Sequence, residues 1–291
     1  MVSHRLARRP GLLRAAPDFR WLWLSRTVSF TGDGIARVAL VLLAAPAGPE
    51  AVSLILLANS LPRLLGPVAG AVADRVDQRR LMAGCELGQA AIYATVAAAR
   101  PHLPVLLPLV AATGLLATLF SPAGKGSVPK LVPADRLGGA NALLASAFNL
   151  QVIAGPAIGG VLVGFAGTSA AFAADAGSFL VSALLLSRMR PLPAAGAPGT
   201  GLAADTIAGL RYAARAAVPR ALVLGTVVFV AFAAMDNVAL VFLVHRLHGS
   251  HAAYGVVVAA FGAGMLGASL LLTRFGGRRR PEQWLVRHPG A

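Results

Sequence analysis

The chain has 291 residues, of which 57% are hydrophobic and only 13% are charged, against about 25% charged residues in an ordinary soluble domain. With a mean hydropathy of +0.71, this composition excludes a water-soluble globule and a disordered chain, because too few polar side chains are present to cover a compact surface in water. The net charge is +15, and the single cysteine, Cys85, excludes an internal disulfide and a cysteine-cluster metal site.

Apolar windows of about 20 residues, long enough to cross the hydrocarbon core as helices, occur eight times. They lie near residues 20–45, 51–73, 81–99, 103–121, 141–165, 168–187, 221–244 and 252–273. Glycine or proline interrupts most of them, which membrane helices tolerate when neighbouring helices pack around the break. The sequence therefore predicts an all-α, multi-pass membrane protein.

The basic residues are distributed unevenly between the two ends of these windows. Of the 26 lysines and arginines, 21 fall in the two tails and in the links after even-numbered spans, two fall in the other links, and three lie inside spans. Because positive charge is retained in the cytoplasm, this pattern predicts both termini on the cytoplasmic side of the cell membrane. Membrane topology thus explains the net positive charge. We expect the partner of the protein to be the lipid bilayer and not nucleic acid.

Composition divides the chain into five parts. We expect a cytoplasmic tail (1–19), a six-helix half (20–188), a cytoplasmic linker with an amphipathic helix (189–220), an incomplete second half of two helices (221–273) and a basic cytoplasmic tail (274–291). Many transporters pair three-helix inverted repeats, two to each half. On that plan the chain stops after its eighth span, with its second half unfinished.

Ionisable residues inside membrane spans are costly and are therefore candidates for function. In the first span Arg26, Asp33 and Arg37 are spaced by seven and four residues, which places them within about 40° of one helix face. We expect Asp33 and Arg37 to form a mutually dependent pair, serving either proton coupling or structure. Arg63 is a further candidate for transport or coupling, with packing against an exposed backbone carbonyl beside Pro62 as the alternative. The others, each with helix-to-helix hydrogen bonding as the alternative, are Glu86, Asp175 and Asp236.

A second group of candidates follows the second span, in the sequence GAVADRVDQRR at 70–80. A small residue one turn before an acid lets two helices approach closely, and the acid at the membrane edge can pair with an arginine or a helix N-terminus. The alternative is a positive-inside loop with one accidental acid. The candidate residues of this cytoplasmic gating loop are Gly70, Asp74, Arg75, Arg79 and Arg80.

This loop resembles the signature loop of the major facilitator superfamily. Other stretches occur in the matching order: FTGDGIARVA at 30–39, FSPAGKGSVPKLVP at 120–133, ANALLASAFN at 140–149 and GPAIGG at 155–160. Together they are similar to the drug and siderophore exporter branch of that superfamily, which includes macrolide and enterobactin exporters. The resemblance covers roughly residues 18–275. Two residues depart from the family pattern. Gln89 stands where this branch has a basic residue, and Gln151 occupies a glycine position of the antiporter pattern.

The resemblance implies a major-facilitator-like bundle that exports drugs or other amphipathic small molecules by ion-gradient-coupled antiport, with H⁺ as the coupling ion, and so contributes to drug resistance. It also implies that Asp74 acts as a conformational latch, for which Lys125 and Lys130 are the partners available in this chain. In GPAIGG, we expect Gly155, Pro156, Gly159 and Gly160 to serve helix packing or a hinge.

Two other functions remain open on the sequence. The unfinished second half favours a non-transporting membrane fragment, or a homo-oligomer if the chain is stable as it stands. A membrane-embedded enzyme would need clustered histidines or a nucleophile inside the spans, and spans three to six contain no histidine. His245, His248 and His251 are interpreted as an outer loop, because Gly249 and Ser250 interrupt any helix that would align them. We therefore expect no catalytic residue, no metal and no cofactor.

Overall fold

The computed structural model describes residues 11–194 and scattered positions between 211 and 264. The predicted all-α fold is confirmed: the regular elements in this part of the chain are helices, without a strand. The predicted linker, the last two spans, Asp236 and the three outer-loop histidines fall wholly or largely outside the described residues. The helices are α1 (Leu12–Ala15), α2 (Pro17–Ala44), α3 (Pro49–Ser60), α4 (Gly66–Ala73), α5 (Gln78–Ala99), α6 (Leu103–Leu131), α7 (Leu137–Val152) and α8 (Ala154–Ser187).

Within the residues that the structure describes, five helical segments are long and apolar enough to cross a membrane. They are Pro17–Ala47, Pro49–Ala73, Gln78–Ala99, Leu103–Leu131 and Ala134–Ser187. The second joins α3 and α4 through a 3₁₀ turn at Leu61–Leu65 that contains Pro62. Proline supplies no backbone N–H and crowds the preceding turn, which explains why the regular helix is interrupted there.

The fifth segment, 54 residues long, is two spans joined at a glycine. Gly167 has φ 78° and ψ 174°, outside the helical region, and its positive φ favours glycine. Gly155 and Asp175, on either side of Gly167, both approach the same turn of α2, at Gly34 and Gly32 respectively. A continuous helix would hold them about 30 Å apart. The chain therefore reverses at Gly167, which makes α8 a helical hairpin.

The helix α2 is the central element of the bundle, and glycines let α8 reach it. A Cβ on Gly155 would stand 2.6 Å from the Cα of Gly34, and a Cβ on Gly159 would stand 2.9 Å from the Cα of Ile35. Only glycine permits backbone approach this close, as in other small-residue helix contacts. Pro156 lies in the first turn of α8, after Ile153 breaks the helix (φ −109°, ψ −64°). The GPAIGG segment thus combines a helix break with a close crossing.

Two apolar clusters fill the bundle, one toward each end. The first includes Val41, Ile55 and Phe172, and the second includes Phe19, Met82 and Phe120. Between them lies a layer of buried polar side chains contributed by four helices, namely Ser25, Ser29, Glu86, Gln89, Thr113, Thr118, Asp175 and Ser182. Buried polar groups at mid-bundle are expensive in lipid and are typical of a functional region.

The outer surface of the bundle is apolar. Phe165 is 91% exposed, and Leu64 and Leu184 are also largely exposed. In water such side chains would be an aggregation hazard, whereas in a bilayer they face hydrocarbon at no cost. The bundle is therefore apolar outside and polar at its centre, the arrangement of a multi-pass protein that handles polar groups within the membrane.

Candidate transport site

Two pockets open from the polar layer along one face of α2. The ionic pocket has a volume of about 130 Å³ and is lined by Asp33 and Arg37 of α2, Arg63 of the 3₁₀ turn, and uncharged groups from neighbouring helices, including Asn59, Gln89, Tyr93, Thr113 and Gln151. The predicted face of the first span thus delivers Asp33 and Arg37 to one cavity, and Arg63 reaches the same cavity from the second span. Gln89 and Gln151, the two departures from the family pattern, lie in its wall.

The mutual dependence of Asp33 and Arg37 stays a prediction, since the structure shows where the two side chains lie and not how removing one affects the other. Within residues 11–194 and the scattered described positions, no oxygen of Asp33 lies within 4.0 Å of an Arg37 nitrogen. One carboxylate instead shares the pocket with two guanidiniums, Arg37 and Arg63. An acid flanked by two cations without direct contact retains room for water or a ligand between the charges.

The aromatic pocket lies about 10 Å along α2 from Asp33, seven residues earlier. Its volume is about 350 Å³, and its lining consists of Leu22, Arg26, Phe30, Phe120, Ser121, Gly124, Lys125, Leu144 and Phe148. The rings of Phe30 and Phe148 meet edge to face, with centroids 5.5 Å apart and planes at 84°. Arg26 therefore shares the helix face of Asp33 and Arg37 but serves a different cavity.

Arg26 is held from two sides. Its guanidinium carbon lies 3.8 Å from the centre of the Phe30 ring and 4.3 Å from that of Phe120, both within the range of cation–π attraction. Its Nη1 atom lies 3.8 Å from Oε1 of Glu86. The structure thus joins two candidates on different spans, which helical periodicity within one span cannot reveal.

Glu86 is completely buried beneath Arg26. Its Oε1 accepts a hydrogen bond of 3.3 Å from the Ser29 hydroxyl, whereas its Oε2 has no hydrogen-bond partner in the described part of the chain. The nearby hydroxyls of Ser25 and Ser182 bond each other at 2.7 Å. Glu86 thus lies against Arg26 inside the bundle, away from the cytoplasmic loop.

Asp175 is the second fully buried carboxyl of the polar layer. Its Oδ1 accepts a hydrogen bond of 3.2 Å from Ser178, and it faces α2 at Gly32. Its Oδ2 lacks a hydrogen-bond partner among the residues that the structure describes. Tyr93, in the wall of the ionic pocket, stacks against Phe172 and Phe179, which flank this part of α8. Asp175 is thus not in the lining of the ionic pocket, but it lies on the helix that packs against Tyr93 of that lining.

The candidate gating loop connects α4 to α5. Asp74 and Arg75 are exposed, and a Cβ on Gly70 would meet no atom within 4 Å in the described part of the molecule. The expected close helix approach at Gly70 is thus not made by those residues. Lys125 lines the aromatic pocket and Lys130 donates to the Pro193 carbonyl; their partnership with Asp74 stays a prediction.

The second half of the loop has structural roles. The carboxylate of Asp77 accepts from the backbone N–H of Arg80 at 2.9 Å and so caps α5. Arg79 donates at 2.7 Å to the carbonyl of Ser187, the last residue of α8, where a cation also complements the helix dipole. The loop is therefore fastened to the end of the sixth span.

A further ionic contact at this end was not predicted from the sequence. Arg190, just after α8, pairs with Asp18 in the first turn of α2, with Nε and Oδ2 3.1 Å apart. The backbone N–H of Arg190 also donates to Asp18 at 3.2 Å. The sequence shows an acid in the first turn of one helix and a basic residue after another span. It does not show that the two meet, because that depends on how the helices pack.

Comparison with known proteins now identifies the family. The model of the family described as "Transmembrane secretion effector" matches residues 13–287, nearly the whole chain. The chain belongs to this family of major facilitator transporters. It is 32% identical over 179 residues to the MFS-type transporter YfiS of Bacillus subtilis, covering 60% of this chain and 43% of that one.

Two further relatives carry functional names. The multidrug efflux pump Tap of Mycolicibacterium fortuitum is 32% identical over 202 residues, covering 62% of this chain and 48% of Tap. The putative bacilysin exporter BacE of Bacillus subtilis is 26% identical over 177 residues, covering 60% of this chain and 44% of BacE. The chain thus spans about half the length of the curated relatives it matches.

The fold agrees with solved transporters. A peptide transporter POT in complex with sulfate superimposes with a TM-score of 0.55 at 17% identity, covering 78% of this chain and 51% of that chain. The POT family transporter PepTSo superimposes with a TM-score of 0.56 at 14% identity, covering 91% of this chain and 55% of that chain. At such identities these similarities show the major facilitator fold alone.

Proposed function

We propose that this protein is a secondary transporter of the cell membrane that exports amphipathic small molecules, and that it does so by antiport against an ion gradient with H⁺ as the coupling ion. Membership of a transporter family and the two relatives named as an efflux pump and an exporter support this proposal. The observation that carries it is the polar layer, where one face of α2 presents Arg26, Asp33 and Arg37 to two separate pockets.

The two pockets suit different roles. The ionic pocket is the smaller of the two, at about 130 Å³ against about 350 Å³, and charged and polar side chains supply most of its lining. Its single carboxylate, Asp33, can bind and release a proton while Arg37 and Arg63 shape the surrounding field. The aromatic pocket is large enough for cargo. We therefore assign coupling to the first pocket and substrate to the second.

The proposed orientation places both termini in the cytoplasm. The distribution of lysine and arginine supports it, as does the contact that fastens the basic loop at 74–80 to the end of α8 on the same side of the bundle. The aromatic pocket, which includes Lys125, then lies nearer the cytoplasmic side than the ionic pocket does.

Efflux of a fluorescent amphipathic dye from cells lacking their own pumps tests this function. Cells producing the chain should extrude the dye, and a protonophore should abolish the extrusion. Asp33→Asn should lower the extrusion rate at least about tenfold, because the proton site is lost. Glu50→Gln, at an exposed acid in the first turn of α3, is the matched control and should transport normally. Protonophore-insensitive efflux, or full activity of Asp33→Asn, would contradict the proposal.

A further inference from the structure

The guanidinium of Arg26 is held in place, but its hydrogen-bond donors are not occupied by the residues that the structure describes. It carries five N–H donors, yet none makes a hydrogen bond within residues 11–194 or the scattered described positions. Phe30 and Phe120 lie against it, 3.8 and 4.3 Å from the guanidinium carbon to the ring centres. Glu86 approaches to 3.8 Å, too far for a hydrogen bond. Its donors are therefore available to an acceptor that enters the pocket.

A second cation lines the same cavity. Lys125 of α6 contributes to the pocket wall, and its side chain is exposed. In the described part of the chain no carboxylate lies within 4.0 Å of its ammonium group. Two cations thus border the pocket, and its lining includes no carboxylate, so that positive charge faces the cavity. An anion entering here gains attraction from both sides.

The remaining walls are apolar and fit a ring-bearing body. Three phenylalanines and two leucines, namely Leu22, Phe30, Phe120, Leu144 and Phe148, supply them. A volume of about 350 Å³ is within the usual range of about 300–1,000 Å³ for small-molecule sites. Phe148 is 50% exposed and lies beside Phe30, so it can move against a bound molecule at little packing cost. The pocket thus pairs an apolar chamber with a cationic rim.

From this juxtaposition, and resting on the proposed export function, we propose that the aromatic pocket is the substrate site and that its substrates are amphipathic acids: molecules with one aromatic or aliphatic body and one anionic group, such as a carboxylate. The anionic group lies between Arg26 and Lys125, and the body lies among the phenylalanines. Lipophilic cations, by contrast, are repelled from this site.

Binding of three molecules that share one apolar body but differ in charge tests the proposal. The full chain is placed in phosphatidylcholine nanodiscs, and equilibrium dialysis measures the binding of 2-naphthoate, 2-naphthamide and 2-naphthylmethylamine, with empty nanodiscs subtracted. We expect naphthoate to bind at least about tenfold more tightly than the amide, and the amine to bind weakest. Equal binding of acid and amide, or tightest binding of the amine, would overturn the proposal.

Variants in the pocket locate the binding. Lys125→Gln should weaken naphthoate binding about five- to tenfold and leave naphthamide binding unchanged, and Lys125→Arg should restore most of the affinity. Lys130→Gln on the same helix removes a cation outside the pocket and should change neither. Phe148→Ala should weaken the acid and the amide alike, because both lose the same ring contact. If Lys125→Gln and Lys130→Gln behave identically, the anion does not bind between the two cations.

An anionic lipid headgroup presents the same chemistry, so a further arm separates the two sources. The dialysis is repeated with nanodiscs in which a third of the lipid is phosphatidylglycerol. Unchanged naphthoate affinity supports a soluble acid as the occupant, whereas loss of binding would assign the pocket to a lipid headgroup and overturn the proposal. Because no gradient is present, failure here leaves Asp33-dependent efflux intact, and loss of that efflux leaves the binding result standing.

Discussion

At the scale of single residues, the pairing of Arg26 with Glu86 links the aromatic pocket to the interior of the bundle. Glu86 is fully buried, while 18% of the Arg26 side chain is exposed. The two partners therefore depend on each other unequally. Arg26 without Glu86 retains two aromatic rings and access to water at the pocket, whereas Glu86 without Arg26 is a buried carboxyl that has lost its neighbouring cation.

We predict that Arg26→Gln lowers the free energy of unfolding by about 3 kcal/mol and that Glu86→Gln lowers it by less. The double variant Arg26→Gln with Glu86→Gln should be more stable than Arg26→Gln alone, because the buried carboxyl that lost its partner is removed as well. Thermal unfolding in detergent, followed by size-exclusion chromatography of a fluorescent fusion, measures the order. If the double variant loses the sum of the two single effects, the pair is not an interacting unit.

The sequence predicted part of this site for identifiable reasons. Periodicity within α2 predicted a shared direction for Asp33 and Arg37, and both line the ionic pocket, because a helix fixes the relative direction of its own side chains. It could not assign Glu86 as the partner of Arg26, since that depends on the packing of α5 against α2. Lys125 and Phe148 belong to the motifs at 120–133 and 140–149. They line one pocket because α6 and α7 both pack beside α2, which the motifs do not reveal.

At the scale of helices, the contact between α2 and α8 depends on glycine. A Cβ at position 155 would stand 2.6 Å from the Cα of Gly34 and 3.0 Å from the Thr31 carbonyl oxygen. Both are backbone atoms, which cannot rotate away as a flexible side chain does. By contrast, a Cβ on Gly177 in the same helix would meet no described atom within 4 Å.

Gly155→Ala is therefore expected to destabilise the protein by about 2 kcal/mol, because α2 and α8 must separate. Gly177→Ala is the matched control, and it should leave the unfolding temperature unchanged or raise it, since alanine is the better helix former. The same detergent unfolding assay applies. Equal unfolding temperatures for the two variants would show that the crossing tolerates a methyl group.

Helix positions were more predictable than helix ends and breaks. The window at 51–73 matches Pro49–Ala73, and the window at 81–99 falls within Gln78–Ala99. The fourth window ended at 121, yet α6 continues to Leu131 through Pro122 and Pro129. Lys125 and Lys130 lower the local hydropathy, but Ser127 and Val128 are buried, and packing extends the helix where composition would end it.

At the scale of the whole molecule, charge distribution determines orientation. The links at 74–80 and 188–190 are rich in arginine, whereas the link between α5 and α6 has a single arginine, Arg100. The Nε of Arg100 donates to Ser169 at 2.7 Å. Arg100 adopts a left-handed conformation, with φ 44°, at the end of α5. The cation on the predicted outer side is thus held against the beginning of the sixth span.

Single cysteines test this orientation in a Cys85→Ala background. A membrane-impermeant maleimide added to intact cells should label His102→Cys but not Val76→Cys, because the positive-inside rule places the former outside. Permeabilised cells should show labelling of both, which serves as the accessibility control. Labelling of Val76→Cys alone in intact cells would invert the proposed topology.

The reversal at Gly167 has a consequence for biogenesis. From Leu137 to Ala174 the sequence contains no charged residue, and the turn itself is formed by small residues, Ala166, Gly167 and Thr168. During synthesis the insertion machinery therefore receives both spans as one continuous apolar segment, and it has no hydrophilic loop to translocate between them. The two arms can therefore enter the bilayer together as a preformed hairpin, and Asp175, the first charged residue after the turn, then packs against Gly32 of α2.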